Sequence, residues 1–377
     1  MTRYGLSFLP DARPEDMPAD RYFANALKLA EMADRAGMGA VKMTEHYLHP
    51  YGGYCPSPLT FLAAVAAQTS QIRLMTGGIL PAFHHPVQLA AHCAMVDALS
   101  GGRLDVGLAR AYLPYEFAAF GVPLDESRDR FVATARAMQR LWTEDAVSAE
   151  TPFFTLDRAR SLPKPVQRPH PPLWGAAVSS RQSFAWLGEN GFGLLVTSSF
   201  GGYDKLRENI AIYRESFAEA PANAGRRSAV TLSLPLYVAP TPREAEAEAD
   251  QHLAHYMRIW SDATAAWDTA NSRDYPGYTK MARALRSVTP ADLRASKAVV
   301  TGDPAGAAAV LAELLDIVDI DTIIWQIDFG AMPFDRAARS LTLFNEEVAG
   351  RLAPTGRTET PPAAADAAEG VASPPVP

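Results

Sequence analysis

A chain of 377 residues that is 48% hydrophobic and 20% charged can bury one large core, and nothing in that composition marks bulk disorder. A net charge of -7, with no clustered basic stretch, argues against nucleic acid or an anionic membrane as the main partner. No apolar run is long enough to span a bilayer, the N-terminus lacks the apolar stretch of a secretory signal, and Cys55 and Cys93 are too isolated for a disulfide framework or thiolate metal site, so a soluble cytoplasmic protein is expected.

Residues 4–9 form a short apolar run stopped by Pro10, the pattern of a first buried strand. Asp20 then reads as the N-cap of a helix carrying Tyr22, Phe23, Ala26, Leu27, Ala30 and Ala33 on one face, with Gly37 and Gly39 marking its exit. Residues 39–47 read as a second strand that ends in Glu45 and His46, before a loop punctuated by Pro50, Gly52, Gly53 and Pro56. Pro58–Gln68 makes a helix, and residues 72–79 a third strand ending in Gly77 and Gly78. Pro86 opens a helix that runs to Leu99, and residues 103–109 form a fourth strand ending at Arg110. An aromatic and acidic loop with Tyr112, Tyr115, Glu116, Phe117 and Phe120 follows, then a longer helix over residues 123–142. Residues 143–168 break the alternation as an added hairpin or loop.

The second half resumes with a strand at 172–177, a helix at 179–190, a strand at 191–197, a turn at 198–202 and a helix at 203–218. The next strand spans 230–239, with Pro235 expected at a bulge or edge, and a polar-faced helix covers 242–267. Residues 268–300 lose the pattern, and a stretch that long inside a compact domain reads as a lid. Gly302, Asp303 and Pro304 start another helix, residues 322–327 form the eighth strand and residues 332–352 close the chain. Eight strands alternating with helices predict an α/β fold, a (β/α)8 TIM barrel with insertions, as a single domain over 1–352. The Ala- and Pro-rich tail, 353–377, is expected to be disordered. A doubly wound open sheet is the alternative, but no Gly-x-Gly-x-x-Gly follows the first strand.

In βα barrels, chemistry sits where strands give way to the following loops. The residues predicted there are Glu45 and His46, Gly77 and Gly78, Arg110 with Glu116, Ser179 and Ser180, Ser198 and Ser199, and Gln326 with Asp328. An arginine beside hydroxyls and free N–H groups at a helix start suits a phosphate. A glycine pair leaves room for a flat ring, and one imidazole moves a proton near neutral pH. Each has a plain structural reading too: Arg110 pairing with Glu116 or Asp105, Ser179 or Ser180 capping a helix, the glycines marking a strand exit, His46 sitting satisfied in the core. No His-Glu-x-x-His accompanies His252 and His255, and His84 and His85 point opposite ways in an extended segment, so no metal site is expected.

Several of these segments, in this order and spacing, resemble the luciferase-like flavin-dependent monooxygenases, most closely the catalytic-subunit type of bacterial luciferase, over residues 3–350. They are Glu45-His46-Tyr47, Thr76-Gly77-Gly78 through His85-Pro86-Val87, Ser100-Gly101-Gly102-Arg103, Gly107-Leu108-Ala109-Arg110 with Glu116-Phe117 and Phe120-Gly121, Ser179-Ser180 to Asn190-Gly191, and Gly302-Asp303-Pro304. The resemblance implies that reduced FMN, delivered by a separate NAD(P)H:flavin reductase, reacts with O2 to give a flavin C4a-hydroperoxide that oxidises an organic substrate. It implies a general acid/base role for His46 with Glu45 beside it, phosphate ligation by Arg110 and the Ser179-Ser180 pair, ring contact at Gly77 and Gly78, a polar neighbour in Glu116, and a mobile lid at 268–300. Ala109 stands where bacterial luciferase has a reactive cysteine, and Tyr47 where it has a second histidine, so the resemblance implies neither light emission nor a long-chain aldehyde. A homodimer or heterodimer is implied, and the aromatic loops argue for a hydrophobic substrate, aromatic or polyketide-like. Hydride transfer with the deazaflavin F420, and a non-catalytic flavin-binding subunit, are the alternatives within the family.

Overall fold

The computed structural model describes residues 3–197 and 202–352. The turn at 198–201, with Ser198 and Ser199, and the tail at 353–377 lie outside the described residues. In chain order the strands are β1 (Arg3–Phe8), β2 (Ala40–Met43), β3 (Arg73–Thr76), β4 (Leu104–Leu108), β5 (Val147–Glu150), β6 (Thr155–Ala159), β7 (Leu173–Ala176), β8 (Gly193–Thr197), β9 (Val230–Val238), β10 (Val300–Gly302) and β11 (Thr322–Gln326). Eight of them pair in parallel in the order β1, β2, β3, β4, β7, β8, β9, β11, and β11 returns to β1, so the sheet closes into the expected barrel. The predicted excursion at 143–168 is the antiparallel β5–β6 hairpin, and β10 extends the sheet beside β9.

The helices are α1 (Ala19–Arg35), α2 (Pro58–Gln68), α3 (Pro86–Leu99), α4 (Pro114–Ala119), α5 (Ser127–Thr143), α6 (Arg181–Glu189), α7 (Gly202–Glu219), α8 (Pro242–Thr264), α9 (Tyr278–Leu285), α10 (Pro290–Ala295), α11 (Pro304–Ile317) and α12 (Phe334–Leu343). Their buried faces and the outward residues of the strands, such as Val41 and Leu74, form the main core. Inside the barrel, Met75 of β3, Leu195 of β8 and Ile324 of β11 meet as a separate cluster with Trp174 and Ala176. Strands buried on both faces explain why the sequence reads as continuous apolar runs rather than alternation.

Several sequence expectations change: the strand expected over 72–79 stops at Thr76, ahead of Gly77 and Gly78, and the loop expected after Arg110 carries α4. Asp20 is not the N-cap of α1: the chain enters through Pro18 without a side-chain cap, and Asp20 lies in the first turn, where its charge still suits the helix N-terminus. The strand expected over 39–47 stops at Met43, so Glu45 and His46 stand in the loop above it. Pro235 stands inside the barrel sheet rather than on an edge strand: one side lies opposite Gln326 of β11, and the other falls in the gap between the last β8 partner, Ser233, and the first β10 partner, Leu236, where the ladder changes partner and a missing N–H is least costly. Residues 268–300 are not structureless, since α9, α10 with its Thr289–Asp292 capping box, and the start of β10 lie there.

The seam between β1 and β11 is tied above the strands. Asp11 accepts the backbone N–H groups of Gly330 at 2.5 Å and Ala331 at 3.3 Å, joining the loops that follow the two strands. Burial pushes the Asp11 carboxyl from an ordinary 3.8 up to about 7, against the pull of those donors. The folded state therefore holds a proton that the unfolded chain releases. This group's stabilising contribution is complete below pH 3.8 and is lost as pH rises through about 7. Asp11→Asn keeps an acceptor for the loop without the charge. It should gain on the wild type between pH 4 and pH 8 by on the order of 2 to 4 kcal/mol in denaturant unfolding; an unchanged difference would remove Asp11 from the pH dependence.

Candidate active site

The loop above β2 meets α4 at the mouth of the barrel. His46, 5% exposed, places Nδ1 3.0 Å from Oε1 of the fully buried Glu116, and the same oxygen accepts the Tyr47 backbone N–H at 2.9 Å. Because that oxygen acts as an acceptor, Nδ1 is the donor toward it, and Nε2 is the nitrogen left to take a proton from a bound molecule. The other oxygen of Glu116, Oε2, is buried and has no hydrogen-bond partner among the described residues. Tyr51 and Tyr112 flank the imidazole at ring separations of 5.2 and 6.0 Å. Gly52 lies so close that a Cβ there would overlap the ring.

Glu45 faces a different set of partners. Its Oε1 accepts from Tyr47 Oη at 2.6 Å and contacts His84 Nε2 at 2.7 Å, while Oε2 accepts the Leu80 N–H at 3.3 Å. Both oxygens are engaged in holding the loops above β2 and β3. His84 is thereby tied to Glu45, while His85 accepts the Val87 N–H as the N-cap of α3.

Beyond β3 the Gly77–Gly78 peptide is cis. Gly77 donates to the Met43 carbonyl at 2.7 Å and its own carbonyl accepts from Thr44 Oγ1 at 3.3 Å. A Cβ on Gly77 would overlap the Lys42 side chain, and one on Gly78 would sit 2.7 Å from the Leu108 carbonyl carbon. Bare backbone at this place is therefore a packing requirement and also leaves a flat surface at the mouth.

The cationic end lies above β4 and β7. Arg110 donates from Nη2 to Ser127 Oγ at 2.8 Å and to both the carbonyl and Oδ2 of Asp274 at 3.2 Å, and its guanidinium lies 4.7 Å from the centre of the Tyr275 ring. The partners expected for it are engaged elsewhere, Glu116 with His46 and Asp105 with Arg73. Arg128, in the first turn of α5, donates to Ser183 Oγ and Ser180 Oγ, each at 3.3 Å. Ser180 is the N-cap of α6 but makes no side-chain cap bond, so its hydroxyl serves Arg128 instead. Ser179 is exposed, one residue farther out. Burial and the repulsion of Arg110 lower the Arg128 pKa, as expected where two guanidinium groups share a site. A cavity of about 660 Å³ opens from Arg110, Arg128 and Ser183 along α5, past Arg136, Phe153 and Trp186; His46 does not line it.

The structure thus gathers Glu45, His46, Gly77, Gly78, Arg110, Glu116 and Ser180 around the mouth, and adds Ser127, Arg128, Ser183 and Asp274. Gln326 and Asp328 stand on the β11 side, where Asp328 accepts from Tyr22 Oη at 2.7 Å. Ser183 had a signal in the sequence, since it follows Ser180 by one helical turn. Arg128 had none, because nothing local says which face of a helix start will turn toward another helix.

Residues 2–318 match the family described as luciferase-like monooxygenase. The chain belongs to that family. Its fold superposes on the crystal structure of the monooxygenase RslO1 from Streptomyces bottropensis with a TM-score of 0.79 and 34% identity, over 92% of this chain and 98% of that one. It is 28% identical over 270 residues to the oxygenase component of the flavin-dependent trigonelline monooxygenase of Acinetobacter baylyi, covering 70% of this chain and 71% of the relative. It is also 27% identical over 337 residues to the F420-dependent glucose-6-phosphate dehydrogenase of Kineococcus radiotolerans, covering 87% and 93%. Three further relatives, all uncharacterized and 30% to 35% identical, are matched over only about half their length, 49% to 51%. Family members use flavin or F420, and this chain is a family enzyme of the oxidoreductase type.

Inorganic phosphate should raise the thermal midpoint of the wild type by filling the cationic end. Arg128→Ala should weaken that apparent affinity by about 1.5 to 3 kcal/mol, the range for hydrogen bonds to charged groups. An identical phosphate response in both proteins would take Arg128 out of the anion site.

Proposed function

We propose that this chain is the oxygenase component of a two-component flavin monooxygenase, taking reduced FMN from a separate NAD(P)H:flavin reductase and using O2 to oxygenate a hydrophobic organic substrate. The observation that carries this reading is Arg128 bridging Ser180 and Ser183 beside Arg110. That end offers guanidinium, hydroxyl and helix N-terminal donors, the chemistry that holds a phosphate monoester. The rest of the mouth fits the same group. Gly77 and Gly78 leave space for a flat ring, and the unpartnered Glu116 Oε2 is a buried acceptor facing no protein donor.

FMN, reduced and bound, supplies the electrons that activate O2. The protein's own part is binding, proton handling and exclusion of water. Arg110, Arg128, Ser180 and Ser183 bind the phosphate, with Ser179 at the rim. His46 moves a proton at Nε2, with Glu116 fixing its tautomer from Nδ1. Glu45 is a positioning residue that acts through Tyr47 and His84. The segment at 268–300 acts as the lid: Asp274 and Tyr275 lie on Arg110, while Trp267, Tyr275 and Tyr278 pack with Phe117 and Ala111 into an aromatic cover that keeps water out.

The aromatic walls favour an aromatic or polyketide-like substrate, and activity confined to small charged compounds would contradict that. A second copy of the chain fits the exposed Met95 and Leu99 of α3 together with the exposed Val166, whose N–H donates to Asp97 of the same helix, apolar surface of the kind that marks an interface. We read residues 1–352 as one functional domain. Among the described residues no helix is long and apolar enough to cross a membrane.

The match to an F420-dependent dehydrogenase over 87% of this chain keeps hydride transfer as a second reading, since the same imidazole would serve it. Anaerobic titration with reduced FMN, then mixing with O2 and substrate, separates the two. The wild type should bind the flavin and couple O2 uptake to product, and His46→Ala should still bind while turnover drops by about 10²-fold or more. Turnover with F420 and no O2 uptake would replace the proposal, and a His46→Ala protein with full turnover would point to a non-catalytic flavin-binding subunit.

A further inference from the structure

Lys42 is the third residue of β2, and its pairing with Ser7 on β1 and Met75 on β3 puts it on the inward pleat that Met75 shares with the cluster inside the barrel. Its side chain, 8% exposed, reaches across the interior to β9, where Nζ donates to Ser233 Oγ at 3.3 Å. On the way the stem passes Gly77, which has no room for a side chain because Lys42 occupies it. The ammonium therefore lies in the barrel beneath the Gly77–Gly78 peptide.

Among the described residues no carboxylate forms an ion pair with Lys42; Asp328 attracts it from farther away, and behind Asp328 stand Asp11 and Tyr22. Burial lowers the Lys42 pKa to about 8, with Asp328 opposing the shift. Gln326 adds a second unspent donor. Ser7 pairs with Lys42 on one side and Gln326 on the other, so the three share one layer at the mouth end of the barrel, and Gln326 Nε2 is buried without a partner. A buried ammonium with one long hydrogen bond is expensive to maintain, and a methionine of similar length would fill the same path without that cost. Two unspent donors in one layer imply that an electron-rich group from outside the chain completes the site.

Resting on the flavin reading above, we propose that Lys42, supported by Gln326, supplies the positive charge that receives the pyrimidine edge of the reduced ring above Gly77 and Gly78 and favours its ionised form. Charge placed near the ring nitrogens is a principal means by which a protein tunes a flavin. In this arrangement Arg110 and Arg128 hold the phosphate and Lys42 holds the ring, so affinity is divided between two separate cations.

The test compares wild type, Lys42→Met, Lys42→Arg and Gln326→Leu. Without any flavin, Lys42→Met should melt above the wild type, because an unpaired buried charge is gone; a role confined to holding the barrel together would lower it. In anaerobic titrations followed by ultraviolet absorption across pH 6 to 9, Lys42→Met should bind reduced FMN at least tenfold more weakly, and the bound ring should ionise at higher pH than in the wild type. Lys42→Arg should restore most of both, and should decide the matter if Lys42→Met fails to fold. Unchanged affinity and unchanged ring ionisation in Lys42→Met, with a wild type that binds, would overturn the proposal alone. A wild type that binds no reduced flavin would overturn the flavin reading itself, whichever way the melting temperatures move.

Discussion

Closure of β11 onto β1 fixes the height at which every strand ends, and the mouth of the barrel depends on that closure. The side chains and bare backbone of the candidate site come from loops above four different strands: His46 above β2, Gly77 and Gly78 above β3, Arg110 above β4, and Ser180 above β7. They are placed because the parallel register is continuous around the ring, and because Asp11 ties the loops at the seam where first and last strands meet.

The charges around this mouth are segregated. Glu45, Glu116 and two histidines occupy the β2 and β3 side, while the guanidinium groups of Arg110 and Arg128 occupy the β4 and β7 side. Had Arg110 paired with Glu116, each would have cancelled the other and His46 would have lost the acceptor that sets its tautomer. Distance between the two clusters keeps both arrangements intact, and the aromatic residues around them supply the low-polarity surroundings in which a proton transfer or a fixed charge has its full effect. Lys42 belongs to neither cluster and sits below them, inside the strands.

The alternation of apolar runs with amphipathic helices was enough to read the barrel, since strands buried on both faces and helices punctuated by Pro58, Pro86 and Pro304 leave clear local marks. Position relative to a strand end was legible for His46 and Arg110 for the same reason. What could not be read is partnership at long range. Glu45 and Glu116 look equivalent in the sequence, yet one braces loops and the other holds the imidazole, because α4 turns Glu116 inward from 70 residues away. Arg128 and Asp274 enter the cationic end from elements whose orientation depends on packing rather than on pattern. Pro235 is tolerated inside the sheet because its missing N–H falls at a change of partner, from β8 to β10, that only the whole sheet defines.

Asp274 already occupies Arg110 with a carboxylate from the chain itself. On the flavin reading, an incoming phosphate exchanges with that internal anion rather than meeting a bare cation, so the site's net charge changes by less than the ligand's own charge. Attraction alone then gains little, and discrimination falls to shape: a tetrahedral group can meet Arg110, the Arg128 fork and the α6 N-terminus together, while a planar or singly charged ion matches only part of that set. On the same flavin reading, the chain's own carboxylate is a competitor built into the site, screening out the planar and singly charged anions that any pair of arginines would otherwise collect.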